Sequence, residues 1–171
     1  MWVVLALAVV YLQIALGGWT SSNYAAIACI DFPTCHGSWW PPMDFTEGFT
    51  LWRGLGINYE FGVLETPART AIHYTHRLGA VFTLVVVGAL ALKCLATGEK
   101  ALQRAGAALA AVLIIQLTLG IANVGMGLPL PVAVAHNGGA ALLLLTVVTV
   151  LYLTSRRLAE PDVTMTPTRQ E

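Results

Sequence analysis

Two short stretches hold the side chains best suited to chemistry. TAIHYTHRLGA, Thr70 to Ala80, places His73, His76 and Arg77 at the mouth of a long apolar run, and VAVAHNGGAALLLL places His136 in the same position of a later one. Imidazole is the commonest metal-ligating side chain, and an ionisable group inside an apolar span is costly enough to mark a functional site by default. A bare zinc ion would want three or four close ligands, usually with thiolates or carboxylates among them. No carboxylate lies inside an apolar run here. Two histidines suit a different task, the axial ligation of iron in a flat macrocycle from its two faces.

The elements that must position these groups are membrane spans. The chain has 171 residues, of which 57% are hydrophobic and only 11% charged, against about 25% charged in soluble domains. Trp2–Gly18, Ala71–Leu95, Ala105–Met126 and Pro131–Leu153 are the four apolar stretches, and each approaches or exceeds the ~20 residues that a bilayer helix needs. The first is the shortest. It has no Lys or Arg before it and no convincing small-residue cleavage site after it, which argues against a signal peptide. Either this helix starts at the membrane face or the sequence is a portion of a longer chain.

Lys93, Lys100 and Arg104 lie between the second and third spans, and Arg156, Arg157 and Arg169 follow the fourth. The positive-inside rule then puts both termini in the cytoplasm and the long segment after the first span outside. The formal net charge of zero leaves no basic footprint for a nucleic-acid partner. The expected architecture is an all-α, four-helix transmembrane bundle over residues 1–155. Its outer loop runs over about 19–70, and a tail over 156–171 is disordered from Glu160 onward.

A loop of that length is usually functional. Rich in aromatics and proline (CHGSWWPPMDF), it is expected to fold over the membrane surface with short amphipathic helices. Trp39, Trp40, Trp52 and Phe45 are expected to anchor it at the interface with lipid. Cys29 and Cys35 lie in this loop, where an oxidising compartment permits a disulfide; Cys94, at the far end of the second span, is expected to be a reduced, inert thiol.

An internal repeat ties the elements to the histidines. LQIALGG (Leu12–Gly18) in the first span matches IQLTLGI (Ile115–Ile121) in the third, and HRLGA (His76–Ala80) matches HNGGA (His136–Ala140). Each half therefore reads as a helix with Q-x-x-L-G, an outer connection, and a helix with H-x-x-G-A. Matching helices run the same way, so the repeats are parallel and their axis lies along the membrane normal. His76 sits about six residues into its span and His136 about five, which at ~1.5 Å per residue buries both roughly 8–9 Å from the outer ends. An axis there makes the two imidazoles face each other, and haem becomes the better-fitting ligand.

In this reading Gly79, Ala80, Gly139 and Ala140 leave room for a porphyrin edge, and Arg77 meets a propionate. A propionate contact, a proton relay, closure of the pocket and a plain interfacial position are all open for His73. His36 reads as a solvated loop residue, and Gln13 and Gln116 as hydrogen-bonding between helices.

GGWTSSNYAAIACIDFPTCHG, ARTAIHYTHRLGA and VAVAHNGGAALLLL closely resemble haem A synthase, a cytochrome-oxidase assembly family, and specifically the C-terminal half of its proteobacterial members. The resemblance implies a bacterial inner-membrane protein whose outer loop is periplasmic. It implies an oxidoreductase that converts the C8 methyl of haem O to the formyl group of haem A with oxygen from water. It further implies heme b held between His76 and His136, and a loop disulfide or redox contact at Cys29 and Cys35. In the family the substrate-holding half carries a glutamate three residues before its first histidine; here that position is His73, which fits the cofactor half and puts autonomous catalysis in doubt. Expected partners are haem O, a haem O synthase, and either a second copy or a separate N-terminal-type half. Two other function classes remain: a membrane cytochrome b that only transfers electrons, and a thiol-disulfide oxidoreductase, which usually needs a second cysteine pair.

Overall fold

The computed structural model describes residues 1–55, 58–60 and 62–159. Five helices follow in order: α1 (Trp2–Ser22), α2 (Phe45–Gly48), α3 (Thr66–Leu95), α4 (Lys100–Gly125) and α5 (Leu130–Ala159). Among the described residues there is no strand, and four of the helices are long and apolar enough to cross a membrane. The expected disordered tail from Glu160 lies outside the described residues.

The four long helices pack as a ring, with α1 beside α3, α3 beside α4, α4 beside α5, and α5 back against α1. Among the described residues, α3 and α5 nowhere bring Cα atoms within 8 Å, nor do α1 and α4, so these pairs stand diagonally across the bundle. Threonine hydroxyls within the spans, such as those of Thr75, Thr83 and Thr118, donate to the carbonyl one turn earlier. Lipid offers no partner, so polar groups in a span must be satisfied internally.

Packing differs between the two ends. Away from the outer loop a continuous core joins all four spans, including Val9 and Val10 of α1, Val87 and Leu90 of α3, Leu109 of α4, and Val147 and Val150 of α5. Lys93 places its ammonium over the Trp2 ring at 5.0 Å, closing this end between α1 and α3. Toward the loop there is a layer in which no helix buries a residue: 11–19 of α1, 74–82 of α3, 114–125 of α4 and 130–142 of α5. Both histidines and both glutamines lie in this layer.

Helix α3 begins at Thr66 rather than at Ala71, where apolar character begins. Glu65 is extended, Pro67 occupies the first turn where its missing N–H leaves nothing unsatisfied, and the N–H groups of Ala68 and Arg69 both reach the Glu65 carbonyl at 3.1 Å. The added turns are covered by the loop. Ala25 and Leu64 pack on Ala68 and Ile72, with Trp19 and Phe49 alongside. His76 is therefore ten residues into its helix and His136 six into α5, or about 15 Å and 9 Å from the helix starts. Equal depth from the two helix ends does not hold.

The loop is pinned to the helices. Trp19 Nε1 donates to the Gly48 carbonyl at 3.0 Å, and the Asp44 N–H donates to the Pro67 carbonyl at 3.1 Å. A Cβ on Gly48 would lie 2.8 Å from the Ala68 carbonyl oxygen, so only glycine allows the single turn of α2 to sit against α3. Tyr74 donates its hydroxyl to the Trp39 carbonyl, and its ring meets Trp40 edge-on at 5.7 Å. Arg53 is paired with Glu47. Trp39, Trp40 and Trp52 keep most of their surface exposed on the outside of this cap.

Candidate functional site

Each half of the bundle carries the same four-residue unit. Gln13 on α1 donates Nε2 to Nδ1 of His76 at 3.1 Å and to the His76 carbonyl at 3.0 Å. Gln116 on α4 makes the corresponding contact with His136 on α5, Nε2 to Nε2 at 3.4 Å. The glutamines thus bond between helices, as their place in the repeat suggests.

The glycines complete both units. A Cβ on Gly17 would lie 3.2 Å from Cε1 of His76, and one on Gly120 would lie 3.2 Å from Cε1 of His136, so each imidazole brings its Cε1 corner against a glycine of the neighbouring helix. A Cβ on Gly79 would run into the side-chain oxygen of Gln13, and one on Gly139 into that of Gln116. The role expected for Gly79 and Gly139, clearance for a porphyrin edge, is thereby replaced: they seat the amides. Gly17 and Gly120 were readable only as the last letter of Q-x-x-L-G, a match whose spacing places them one turn beyond the glutamine, level with the rings.

Because α3 and α5 are diagonal, His76 and His136 belong to opposite corners of the bundle, each contacting the glutamine of the helix beside it. Several polar atoms here are buried with no partner: Oε1 of Gln13, Oε1 of Gln116 and Nδ1 of His136. Buried polar groups are nearly always hydrogen-bonded, so orphans concentrated in one layer mark a place built for something further. Among the described residues no cluster of three His, Cys, Asp or Glu side chains is arranged for a bare metal ion.

Arg77 and His73 are directed to the loop. The Arg77 guanidinium donates to the carbonyls of Thr34 at 2.8 Å, Cys29 at 3.0 Å and Asp31 at 2.8 Å, and stands 5.8 Å from the Phe32 ring centre. A propionate would have to compete with these carbonyls. His73 is 4% exposed, with its Nδ1 accepting the Cys29 N–H at 3.4 Å. It lies beneath the loop, and is neither interfacial nor open to solvent. Cys29 and Cys35 form a disulfide, both fully buried, and Cys94 is a buried free thiol. Within the disulfide turn the Asp31 carboxylate accepts from the Thr34 hydroxyl and from the N–H groups of Gly37 and His36. These bonds, Thr34 foremost, pull its pKa down to about 2. His36 is held in this turn as well, its Nε2 bonded to the Ala28 carbonyl at 2.8 Å.

The family described as cytochrome oxidase assembly protein, COX15-CtaA, matches residues 1–148. The chain belongs to that family. Among curated family relatives, a "Heme A synthase" of Shewanella oneidensis is 46% identical over 140 residues, covering 82% of this chain and 42% of the relative. A "Heme A synthase" of Methylobacterium radiotolerans is 28% identical over 141 residues, covering 82% of this chain and 36% of the relative. The chain therefore spans less than half the length of the curated relatives it matches. No solved structure matches.

Proposed function

We propose that this chain is the cofactor-binding half of a haem A synthase-type oxidoreductase, with His76 and His136 as the axial ligands of a b-type haem. The observation that carries this reading is the pair of Gln–His–Gly units, one on each of two diagonal helices in the same layer of the bundle. The donor set fits. Two neutral imidazoles without a carboxylate or free thiolate beside them suit haem iron better than a bare divalent ion. The loosely packed layer around them and the unpartnered Nδ1 of His136 also favour an inserted group. Curated relatives bearing the name heme A synthase support a role in haem A biosynthesis.

A haem bound here supplies one-electron redox chemistry to the oxidation of the C8 methyl of haem O to the formyl of haem A, with oxygen from water. The chain's own residues do the holding. His76 and His136 would hold the group, Gly17 and Gly120 let the rings lie against α1 and α4, and Arg77 with His73 keeps the disulfide loop over the top. The placement of Lys93, Lys100, Arg104, Arg156 and Arg157 supports a cytoplasmic location for the tightly packed end of the bundle and a periplasmic one for the loop of a bacterial inner-membrane protein. Substrate haem O would occupy a second half, supplied by a longer chain, a separate subunit or another copy. Burial of both cysteine sulfurs speaks against the thiol-exchange class, which needs an accessible disulfide.

The test is a reduced-minus-oxidised spectrum with pyridine haemochrome on detergent-purified protein. Low-spin b-type haem in the parent and its loss in His76→Ala and in His136→Ala are expected. Unchanged low-spin spectra in both variants would overturn the ligand assignment. Turnover of haem O, assayed with the complete enzyme, separates the synthase from a cytochrome that only passes electrons.

A further inference from the structure

The glutamines have no part in the chemistry described so far, yet both are closely confined. They occupy equivalent places in the two halves, each contacts one imidazole, and each is seated on a glycine that a single methyl group would spoil. Their carbonyl oxygens are buried without partners. We propose that Gln13 and Gln116 are positioning residues for the two imidazoles, each fixing the orientation of its ring and the ring nitrogen left free to bind iron. The inference rests on the haem-binding reading above.

The chemistry follows from the protonation of imidazole. A neutral ring that gives Nε2 to a metal keeps its proton on Nδ1 and becomes a donor there, and its basicity as a ligand depends on what accepts that proton. In the structure Nδ1 of His76 faces the amide of Gln13, leaving Nε2 on the side away from it. The amide carries a donor and an acceptor on one planar group. A half-turn about its last bond brings the unpartnered Oε1 to the Nδ1 proton and gives up the bond from Nε2 to the His76 carbonyl. In the other half the amide of Gln116 faces Nε2 of His136 and the unpartnered Nδ1 is the nitrogen on the free side, so there the same oxygen would accept the Nε2 proton. Each glutamine can therefore serve an unligated ring with its nitrogen and a ligated ring with its oxygen. Gly79 and Gly139 keep clear the space in which each amide sits.

The experiment compares the haem-loaded full chain with Gln13→Leu, Gln116→Leu, Gln13→Glu and Gln116→Glu. Haem content is read by pyridine haemochrome, the midpoint potential by redox titration, and the angle between imidazole planes by the low-spin ferric EPR signal. Leucine removes the acceptor, so a less basic ligand raises the potential and a freed ring shifts or broadens the EPR signal. Glutamate strengthens the acceptor and lowers the potential. Opposite shifts in the leucine and glutamate variants of either pair support the proposal. A potential and an EPR signal unchanged in all four variants, or shifts of one sign for both substitutions, would overturn it, as would loss of haem in the leucine variants with no shift in the glutamate variants. Failure of the parent reading looks different: the unmodified chain then binds no haem, or keeps its spectrum in His76→Ala.

Discussion

Arg77 and Cys29 are joined through a hydrogen bond of 3.0 Å from the guanidinium to the backbone carbonyl. The residue next to the candidate ligand His76 is thus tied to the disulfide. The same guanidinium holds the carbonyls of Asp31 and Thr34, so one side chain of α3 gathers the whole turn. Hydrogen bonds to a charged donor contribute ~1.5–3 kcal/mol. Arg77→Ala should therefore let the loop open, speeding reduction of Cys29–Cys35 by a water-soluble phosphine by roughly tenfold or more. Arg77→Lys should restore little of the loss, because an ammonium lacks the planar fork that reaches three carbonyls. Equal reduction rates in the three proteins would remove Arg77 from this role.

Four helical glycines give a comparison of sign. Gly79→Ala and Gly139→Ala push a methyl group into a glutamine amide, whereas Gly88→Ala and Gly138→Ala meet nothing within 4 Å. The first pair should lower stability by about 1–3 kcal/mol, the usual range for overpacking. The second pair should be neutral or stabilising by up to ~1 kcal/mol, the helix-propensity gain of alanine over glycine. Thermal unfolding in one detergent checks both, and the seating of the amides fails if all four substitutions behave alike.

Asp31 predicts an acid limit for the cap. Its carboxyl is held at about 2 in the folded turn against an ordinary value of 3.8. The folded state thus prefers the ionised form. Its contribution is complete above pH 3.8 and disappears as the pH falls through about 2. Because the phosphine itself loses reactivity on protonation, the rate is compared with that of Asp31→Asn at each pH: the parent should be reduced more slowly than the variant at pH 5, and the difference should vanish toward pH 2.

The cysteines are expected to act as a structural clamp. The bridge closes a short loop, with a sequence separation of 6, for which chain entropy suggests a contribution of about 2 kcal/mol. Cys29→Ser with Cys35→Ser should lower the unfolding temperature while leaving haem content near that of the parent. Full loss of haem at unchanged helicity would instead make the bridge part of the binding site.

Much of this could be read from residue order. Four apolar runs of bilayer length, the Q-x-x-L-G and H-x-x-G-A repeat and a loop cysteine pair all carry local signals, and all appear in the structure. What escaped depends on partners distant in the chain. Thr66–Thr70 is too polar to look like part of a span, yet it is helical because the loop covers it. Arg77 looks like a group awaiting an anion until its carbonyl partners, 43 to 48 residues away, come into view. Gly79 looks like empty space for a ligand until Gln13 fills it. Composition tells which residues are small or charged; only tertiary contact tells what they face.

The tight core at the end of the bundle away from the loop has an electrical consequence. From Thr83 to Cys94 the interior is lined by apolar side chains drawn from all four helices, a plug about 16 Å thick along the axis. It acts as a dielectric barrier, with no titratable relay crossing it among the described residues of the core cluster except the buried thiol of Cys94. A haem held in the histidine layer, as proposed above, would be insulated by this plug from the far end of the bundle and would lie nearer the loop side.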